Sequence, residues 1–144
     1  MRNSKNNNKL KQIEVILYRV KNESLEYLLL KRTKERGGFW QPITGGVKEG
    51  EDVLESVRRE ITEETGVENI VNIINLNYKF NFNKGELSFV EYTFGAEILP
   101  QNKIKISYEH DEYKWCDYKK AINLITWNGN KRALVKLNKQ LANN

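Results

Sequence analysis

Residues 45–67 read GGVKEGEDVLESVRREITEETGV, and this stretch contains seven acidic and three basic side chains. Its net charge is therefore −4, whereas the whole chain of 144 residues carries a formal charge of +5 at pH 7. Its apolar residues recur at three- and four-residue steps, which is the period of one face of an α-helix. The pattern predicts an amphipathic helix that begins near Glu51 and ends at Gly66, a residue type that commonly terminates helices.

The glutamates of this helix are not spread evenly around it. With about 100° per residue, one arc contains the apolar residues that we expect to face the core: Val53, Leu54, Val57 and Ile61. Glu60, Glu63 and Glu64 form a strip along the edge of that arc, where like charges repel each other. A hard divalent cation such as Mg²⁺ or Mn²⁺ offsets such repulsion, because it prefers carboxylate oxygens that converge from one side. A solvated acidic face is the alternative interpretation.

The composition limits the class of protein. A chain of this length forms one domain, and its 39% hydrophobic and 30% charged residues are typical of a soluble globular protein. No window approaches the roughly 18 apolar residues of a membrane span, and the N-terminus has no apolar run of a secretory signal. The single cysteine, Cys116, excludes an internal disulfide, and we expect it to be buried. We therefore predict a cytoplasmic protein with no membrane partner.

Short β-branched or leucine-rich runs predict strands. They cover residues 12–20, 25–32, 69–82, 87–98 and 112–118. Beyond them, 118–125 and 130–141 have helical periodicity and are separated by the turn-forming sequence WNGN at 127–130. Residues 1–9 are rich in Asn and Lys and predict a flexible tail, which leaves 10–144 as a single domain. Because strands and helices mix without regular βαβ alternation, we expect a mixed sheet with helices packed on it.

Other common sites are absent from the sequence. It contains no P-loop and no EF-hand pattern, and the single histidine, His110, excludes a multi-histidine zinc site. We expect His110 to lie at the surface or to be hydrogen-bonded. No recognised RNA- or DNA-binding pattern is present either, so the positive charge alone does not indicate a specific nucleic-acid partner.

The acidic helix also has a specific spacing. Five residues separate Gly45 from Glu51, and seven separate Glu51 from the run REITEETGV at 59–67. This pattern resembles a complete Nudix box, the signature of hydrolases of nucleoside diphosphates linked to another moiety. The resemblance implies an α/β fold, in which a mixed β-sheet lies between helices in an α/β/α sandwich. It also implies that the helix of the box binds Mg²⁺ or Mn²⁺.

The resemblance assigns roles by position. Glu60, Glu63 and Glu64 would be metal ligands and catalytic residues. Glu51 and Arg59 would pair with each other and hold the preceding loop against the helix. The chemistry would be attack of water on phosphorus, assisted by a divalent metal.

Two further stretches bear on the substrate. GFWQPITGGVKEGE at 38–51 and YEHDEYKWCDYKKAINLITW at 108–127 resemble the branch of dATP and dihydroneopterin triphosphate pyrophosphohydrolases, and also asymmetric diadenosine tetraphosphate hydrolases. In that pattern Glu109 would be an additional metal ligand or general base. The same resemblance gives four candidates for substrate contacts: Arg32, Thr44, Gly45 and Thr126.

These observations favour a Mg²⁺-dependent pyrophosphohydrolase that splits a nucleoside triphosphate, or a related pterin triphosphate, into a monophosphate and pyrophosphate. Asymmetric cleavage of a dinucleoside polyphosphate is the first alternative. A domain that binds a nucleotide as a sensor without hydrolysing it is less favoured, since such a domain has no evident need for the full acidic strip. The expected partner is a small nucleotide or polyphosphate, and no particular oligomeric state is indicated.

Overall fold

The computed structural model describes residues 9–142. Its strands are β1 Leu10–Lys21, β2 Ser24–Arg32, β3 Trp40–Gln41, β4 Ile43–Gly46, β5 Ile70–Lys84, β6 Leu87–Ile98 and β7 His110–Cys116. Its α-helices are α1 Val53–Thr65, α2 Tyr118–Leu124 and α3 Asn128–Ala142, and a 3₁₀-helix covers Lys34–Arg36. The predicted tail at 1–9 lies, except for Lys9, outside the described residues. Within the described range no helix is both long and apolar enough to cross a membrane.

The seven strands form one mixed sheet. The order along the sheet is β3-β2-β1-β6-β5, while β4 also pairs with β1 and β7 with β2. β1 and β6 are parallel, and every other pair is antiparallel. β1 and β2 form a hairpin across the sequence KNES at 21–24, with Lys21 opposite Ser24 at its turn.

The central strand β1 is covered on both faces. Seven consecutive residues, 13–19, are buried, as expected for a strand between two layers rather than at a solvated surface. On one face the core includes Val57 and Ile61 of α1. On the other it includes Ala121 of α2 and Leu134 of α3. The predicted α/β/α sandwich with a mixed sheet is confirmed.

Local sequence determines both ends of α1. Asp52 and Glu55 form a capping box, in which each side chain accepts a hydrogen bond from the backbone N–H of the other. At the other end Gly66 adopts φ 77°, which favours glycine, so the predicted end is confirmed. The prediction that Leu54 faces the core is wrong, because its side chain is 51% exposed and lines a groove between α1 and β5.

The predicted turn at 127–130 is also wrong in part, because α3 already begins at Asn128. Gly129 lies within this first turn, where a Cβ would collide with the ring of Phe80. Asn130 is buried and its side-chain amide donates to Glu14 in β1, which fixes the start of the helix to the sheet. This long-range contact outweighs the local preference of the sequence for a turn.

Candidate active site

Strand β4 brings the backbone of Gly45 against the side of α1. Gly45 pairs with Ile13 in β1, and Gly46 pairs with Gln12. A Cβ atom added at Gly45 would overlap the carboxylate of Glu60. Glycine at this position therefore lets the Glu60 carboxylate lie directly against the strand, as a close approach of side chain to backbone requires.

Arg59 ties the loop between β4 and α1 to the helix. Its guanidinium donates from Nε to Glu51 Oε2 at 2.8 Å and from Nη2 to Glu51 Oε1 at 3.0 Å. Nη2 also donates to the carbonyl of Gly46 at 2.8 Å, and Glu51 Oε1 accepts the backbone N–H of Lys48 at 2.9 Å. The bidentate pair and its two backbone contacts fix the path of the loop.

The Glu51–Arg59 pair predicts a pH-dependent contribution to stability. The hydrogen bonds from Arg59 lower the pKa of Glu51 from its usual value to about 2. Because the pKa of Glu51 is lower in the folded than in the unfolded state, the ionised carboxylate stabilises the fold at pH values above its usual pKa of about 4.5. This stabilisation is lost as the pH falls through about 2. We therefore expect Glu51→Gln to lower the urea midpoint of unfolding at about pH 7, with the difference from wild type closing as the pH approaches 2.

Urea titrations at about pH 7, 4 and 2.5 measure this difference. Glu86→Gln is the matched control, because Glu86 is exposed in the turn between β5 and β6. An equal loss of stability in Glu51→Gln at all three pH values would contradict the assignment.

Arg59 also contacts the acidic strip, which the sequence did not indicate. Nη1 lies 2.9 Å from Glu60 Oε2 and 3.1 Å from Glu63 Oε1. Burial raises the pKa of Glu60 to about 7, and the negative charges of Glu63 and Glu64 add to this shift, while Arg59 opposes it. The strip is thus a crowded set of carboxylates with one guanidinium as its partial counterion.

Glu64 contacts Ser107, just before β7, and His110, the first residue of β7. Its Oε1 accepts from Ser107 Oγ at 2.7 Å and lies 3.1 Å from His110 Nδ1, which is close but not aligned as a hydrogen bond. Burial alone would raise the pKa of Glu64, but the contacts with His110 and Ser107 outweigh it and lower the pKa. Sequence analysis missed Ser107, which is 43 residues away from Glu64 and belongs to no recognisable pattern.

Of the remaining predicted site residues, the structure brings Glu109 and Arg32 together. Glu109 Oε1 lies 3.9 Å from Arg32 Nη1, at the junction of β2 and β7. Within residues 9–142, no hydrogen bond or ion pair joins Glu109 to the carboxylates of α1. Thr44 accepts a hydrogen bond from Gln41 at 3.3 Å. Thr126 is exposed in the link between α2 and α3, and no hydrogen bond between described residues joins its side chain to the strip.

The donor chemistry of the strip fits a hard divalent cation. In Glu60, Glu63 and Glu64 one oxygen makes the contacts described above, and the other makes no hydrogen bond or ion pair with any described residue. The described part of the chain contains no group of three or more acidic, histidine or cysteine side chains already arranged to hold a metal ion. Three carboxylate oxygens are thus present on one side of α1, and they must converge for a cation to bind.

Comparison with known proteins identifies the family. A family model described as NUDIX domain matches residues 10–137. The chain belongs to the Nudix family. Its relatives include proteins described as a tetraphosphatase and a diphosphatase, and the prediction of a Nudix hydrolase is confirmed at the level of the family.

Three relatives show the range of similarity within this family. The chain is 30% identical over 124 residues to a protein of Myxococcus xanthus described as octanoyltransferase, but it spans only 34% of that relative's length. It is 29% identical to mouse bis(5'-nucleosyl)-tetraphosphatase [asymmetrical], covering 83% of this chain and 82% of the relative. It is 26% identical to Escherichia coli dihydroneopterin triphosphate diphosphatase, covering 85% and 87%.

Two solved structures have the same fold. The C. elegans Ap4A hydrolase binary complex superimposes with a TM-score of 0.83 at 22% identity, over 94% of this chain and 99% of that one. The E. coli dihydroneopterin triphosphate pyrophosphohydrolase superimposes with a TM-score of 0.74 at 25% identity, over 86% and 91%. The Nudix fold extends over nearly the whole chain.

Proposed function

We propose that the chain is a divalent-metal-dependent pyrophosphohydrolase that converts a nucleoside triphosphate, or a dihydroneopterin-type triphosphate, into a monophosphate and pyrophosphate. The observation that carries the proposal is the acidic strip of Glu60, Glu63 and Glu64, supported from one side by Gly45 and from the other by Ser107. Such crowding of carboxylates, in a chain whose formal net charge is +5, suits a site for a metal and a polyphosphate.

In this proposal Glu60, Glu63 and Glu64 would hold Mg²⁺ or Mn²⁺, and Glu109 is a further candidate ligand. When bound, the cation offsets the negative charge that develops on the phosphate and bridging oxygens. The raised pKa of Glu60 reflects an unfavourable buried carboxylate, and a nearby cation favours its charged form.

The other residues orient the reactants. Arg32, at the end of β2, donates to a phosphate oxygen of the substrate, for which a guanidinium is well suited. Glu109, beside Arg32, accepts a proton from the attacking water. Gly45 and Thr44 line the side of the phosphate chain, and Thr126 is a more distant candidate contact. Arg59 and Glu51 keep the loop in place without touching the substrate.

The substrate class is supported by similarity to dihydroneopterin triphosphate diphosphatase over more than four-fifths of both chains. The similarity to the mouse asymmetrical tetraphosphatase, over a comparable share of both chains, supports a second candidate. In that case the products would be ATP and AMP from diadenosine tetraphosphate. We also propose that residues 10–144 are one domain and that the protein acts in the cytoplasm.

A substrate panel tests the proposed reaction. The protein is incubated with dATP, dihydroneopterin triphosphate and diadenosine tetraphosphate, with Mg²⁺ or with a chelator, and the products are identified by chromatography. We expect pyrophosphate and a monophosphate from at least one triphosphate, only when Mg²⁺ is present, and turnover at least about a hundredfold lower in a Glu64→Gln preparation made in parallel. ATP and AMP as the main products would favour the second candidate. Absence of turnover with all three substrates would overturn the proposal and favour a nucleotide-binding sensor.

A further inference from the structure

Two other glutamates are buried on the opposite face of the sheet, towards α3. Glu14 of β1 is fully buried and Glu91 of β6 is 3% exposed. The side chains that hydrogen-bond to them are uncharged amides: Gln12 donates to Glu91 Oε1 at 2.7 Å, and Asn130 donates to Glu14 Oε1 at 2.8 Å and to Glu91 Oε2 at 3.3 Å. Among residues 9–142, no lysine, arginine or histidine forms an ion pair with either carboxyl group.

One of the four carboxyl oxygens of Glu14 and Glu91 has no hydrogen-bond donor among the described residues. Donors reach both oxygens of Glu91 and Oε1 of Glu14, whereas Glu14 Oε2 is buried with no donor among the described residues. An ionised carboxylate in this position would leave a buried charge unsatisfied, which is costly. A proton on Oε2 turns it into a donor. The Glu91 carboxylate is close enough to be its acceptor, because the same amide nitrogen of Asn130 donates to both side chains.

We propose that Glu14 and Glu91 share one proton in the folded protein, and that this acid–carboxylate pair fastens the first turn of α3 to the central strands. Asn130 connects the pair to α3, because its one amide nitrogen donates to both glutamates. The pair is distinct from the acidic strip, which lies on α1 at the other face of the sheet. Loss of the shared proton at higher pH weakens this attachment of α3 to the central strands. The pair therefore acts as a pH-sensitive clamp, by which we mean an attachment of α3 whose strength depends on pH.

Burial is the main cause of the shifted titration of both carboxyl groups. Burial, followed by the charge of Glu91, raises the pKa of Glu14 well above its usual value, and burial raises the pKa of Glu91 to about 7. Because both pKa values are higher in the folded than in the unfolded state, the stabilisation by the pair is fully present below about pH 4.5. It is lost as the pH rises through the pKa values of the folded state. For each proton that the folded protein retains and the unfolded chain releases, the unfolding constant rises about tenfold per pH unit.

Urea unfolding between about pH 5 and 8, in the presence of a chelator, tests the clamp. Glu14→Gln replaces the shared proton with an amide N–H. We therefore expect the unfolding constant of this variant to increase less steeply with pH than that of the wild type, by a factor of about ten for each pH unit. Glu86→Gln, which removes an exposed carboxylate, should keep the wild-type slope. The contribution of Glu60 is common to all three proteins and cancels in the comparison. Equal slopes in all three would overturn the proposal.

Hydrogen exchange in the wild-type protein gives an answer even if Glu14→Gln fails to fold. After correction for the intrinsic pH dependence, the amides of residues 131–134 should lose at least about tenfold in protection between pH 6 and 8. The amides of β2, which is not attached to the pair, should lose less protection than those of α3, and no more than the rise in the global unfolding constant explains. A pH-independent protection of the α3 amides would overturn the proposal.

Discussion

Glu64→Gln is expected to lower turnover by about a hundredfold or more while leaving the fold intact. The substitution removes a negative charge from the acidic strip and with it one of the proposed metal ligands, and the loss of a single well-placed electrostatic group commonly costs 10²–10³ in rate. The amide oxygen still accepts from Ser107, so the segment before β7 keeps its anchor. Steady-state kinetics on the best substrate of the panel, with near-ultraviolet circular dichroism as the check on folding, measures this effect.

Glu68→Gln is the matched control for this experiment. Glu68 is exposed just beyond the end of α1 and makes no hydrogen bond or ion pair within the part of the chain described by the structure, so the same change of charge should leave turnover unchanged. A Glu64→Gln protein with near-normal turnover would show that the strip is not catalytic. A loss of turnover in both variants would point to net charge and not to a specific ligand.

Gly45→Ala is expected to lower turnover by about a hundredfold with only a small change in stability. The added methyl group would overlap the carboxylate of Glu60. Because that carboxylate is the end of a flexible side chain, it moves aside at low cost, but the movement displaces it from the strip. A misplacement of about 1 Å in a catalytic group is enough for a rate loss of this size.

Gly46→Ala provides the control at the next position. A Cβ at Gly46 meets no atom within 4 Å, so this variant should retain wild-type turnover and stability. Kinetics and urea unfolding of both variants distinguish the outcomes. If Gly45→Ala and Gly46→Ala were equally active, the close packing of Gly45 on Glu60 would have no catalytic importance.

Sequence alone predicted the elements whose information is local. The period of residues 53–61 and the glycine at 66 predicted α1, and short β-branched or leucine-rich runs predicted the main strands. The adjacency of Glu60, Glu63 and Glu64 followed from helical geometry alone. The pairing of Glu51 with Arg59 was implied by the resemblance to the Nudix box, and the structure shows it as a bidentate contact.

The remainder depends on contacts between distant parts of the chain. The start of α3 and the exposure of Leu54 are determined by which strands lie opposite them, and not by helical period. Likewise, the contacts of Ser107 and His110 with Glu64 arise because residues 107–110, which lead into β7, pass beside α1. The Glu14–Glu91 pair required the parallel pairing of β1 with β6, which no local pattern specifies.

Binding of Mn²⁺ to the wild-type, Glu64→Gln and Glu68→Gln proteins tests the central claim most directly, namely that the acidic strip of α1 is a divalent-cation site. Electron paramagnetic resonance measures free Mn²⁺ during a titration without any assumption about the substrate. We predict saturable binding to the wild-type and Glu68→Gln proteins and an affinity at least about tenfold weaker in Glu64→Gln. Equal Mn²⁺ affinity in all three proteins, or no binding to the wild type, would contradict the claim.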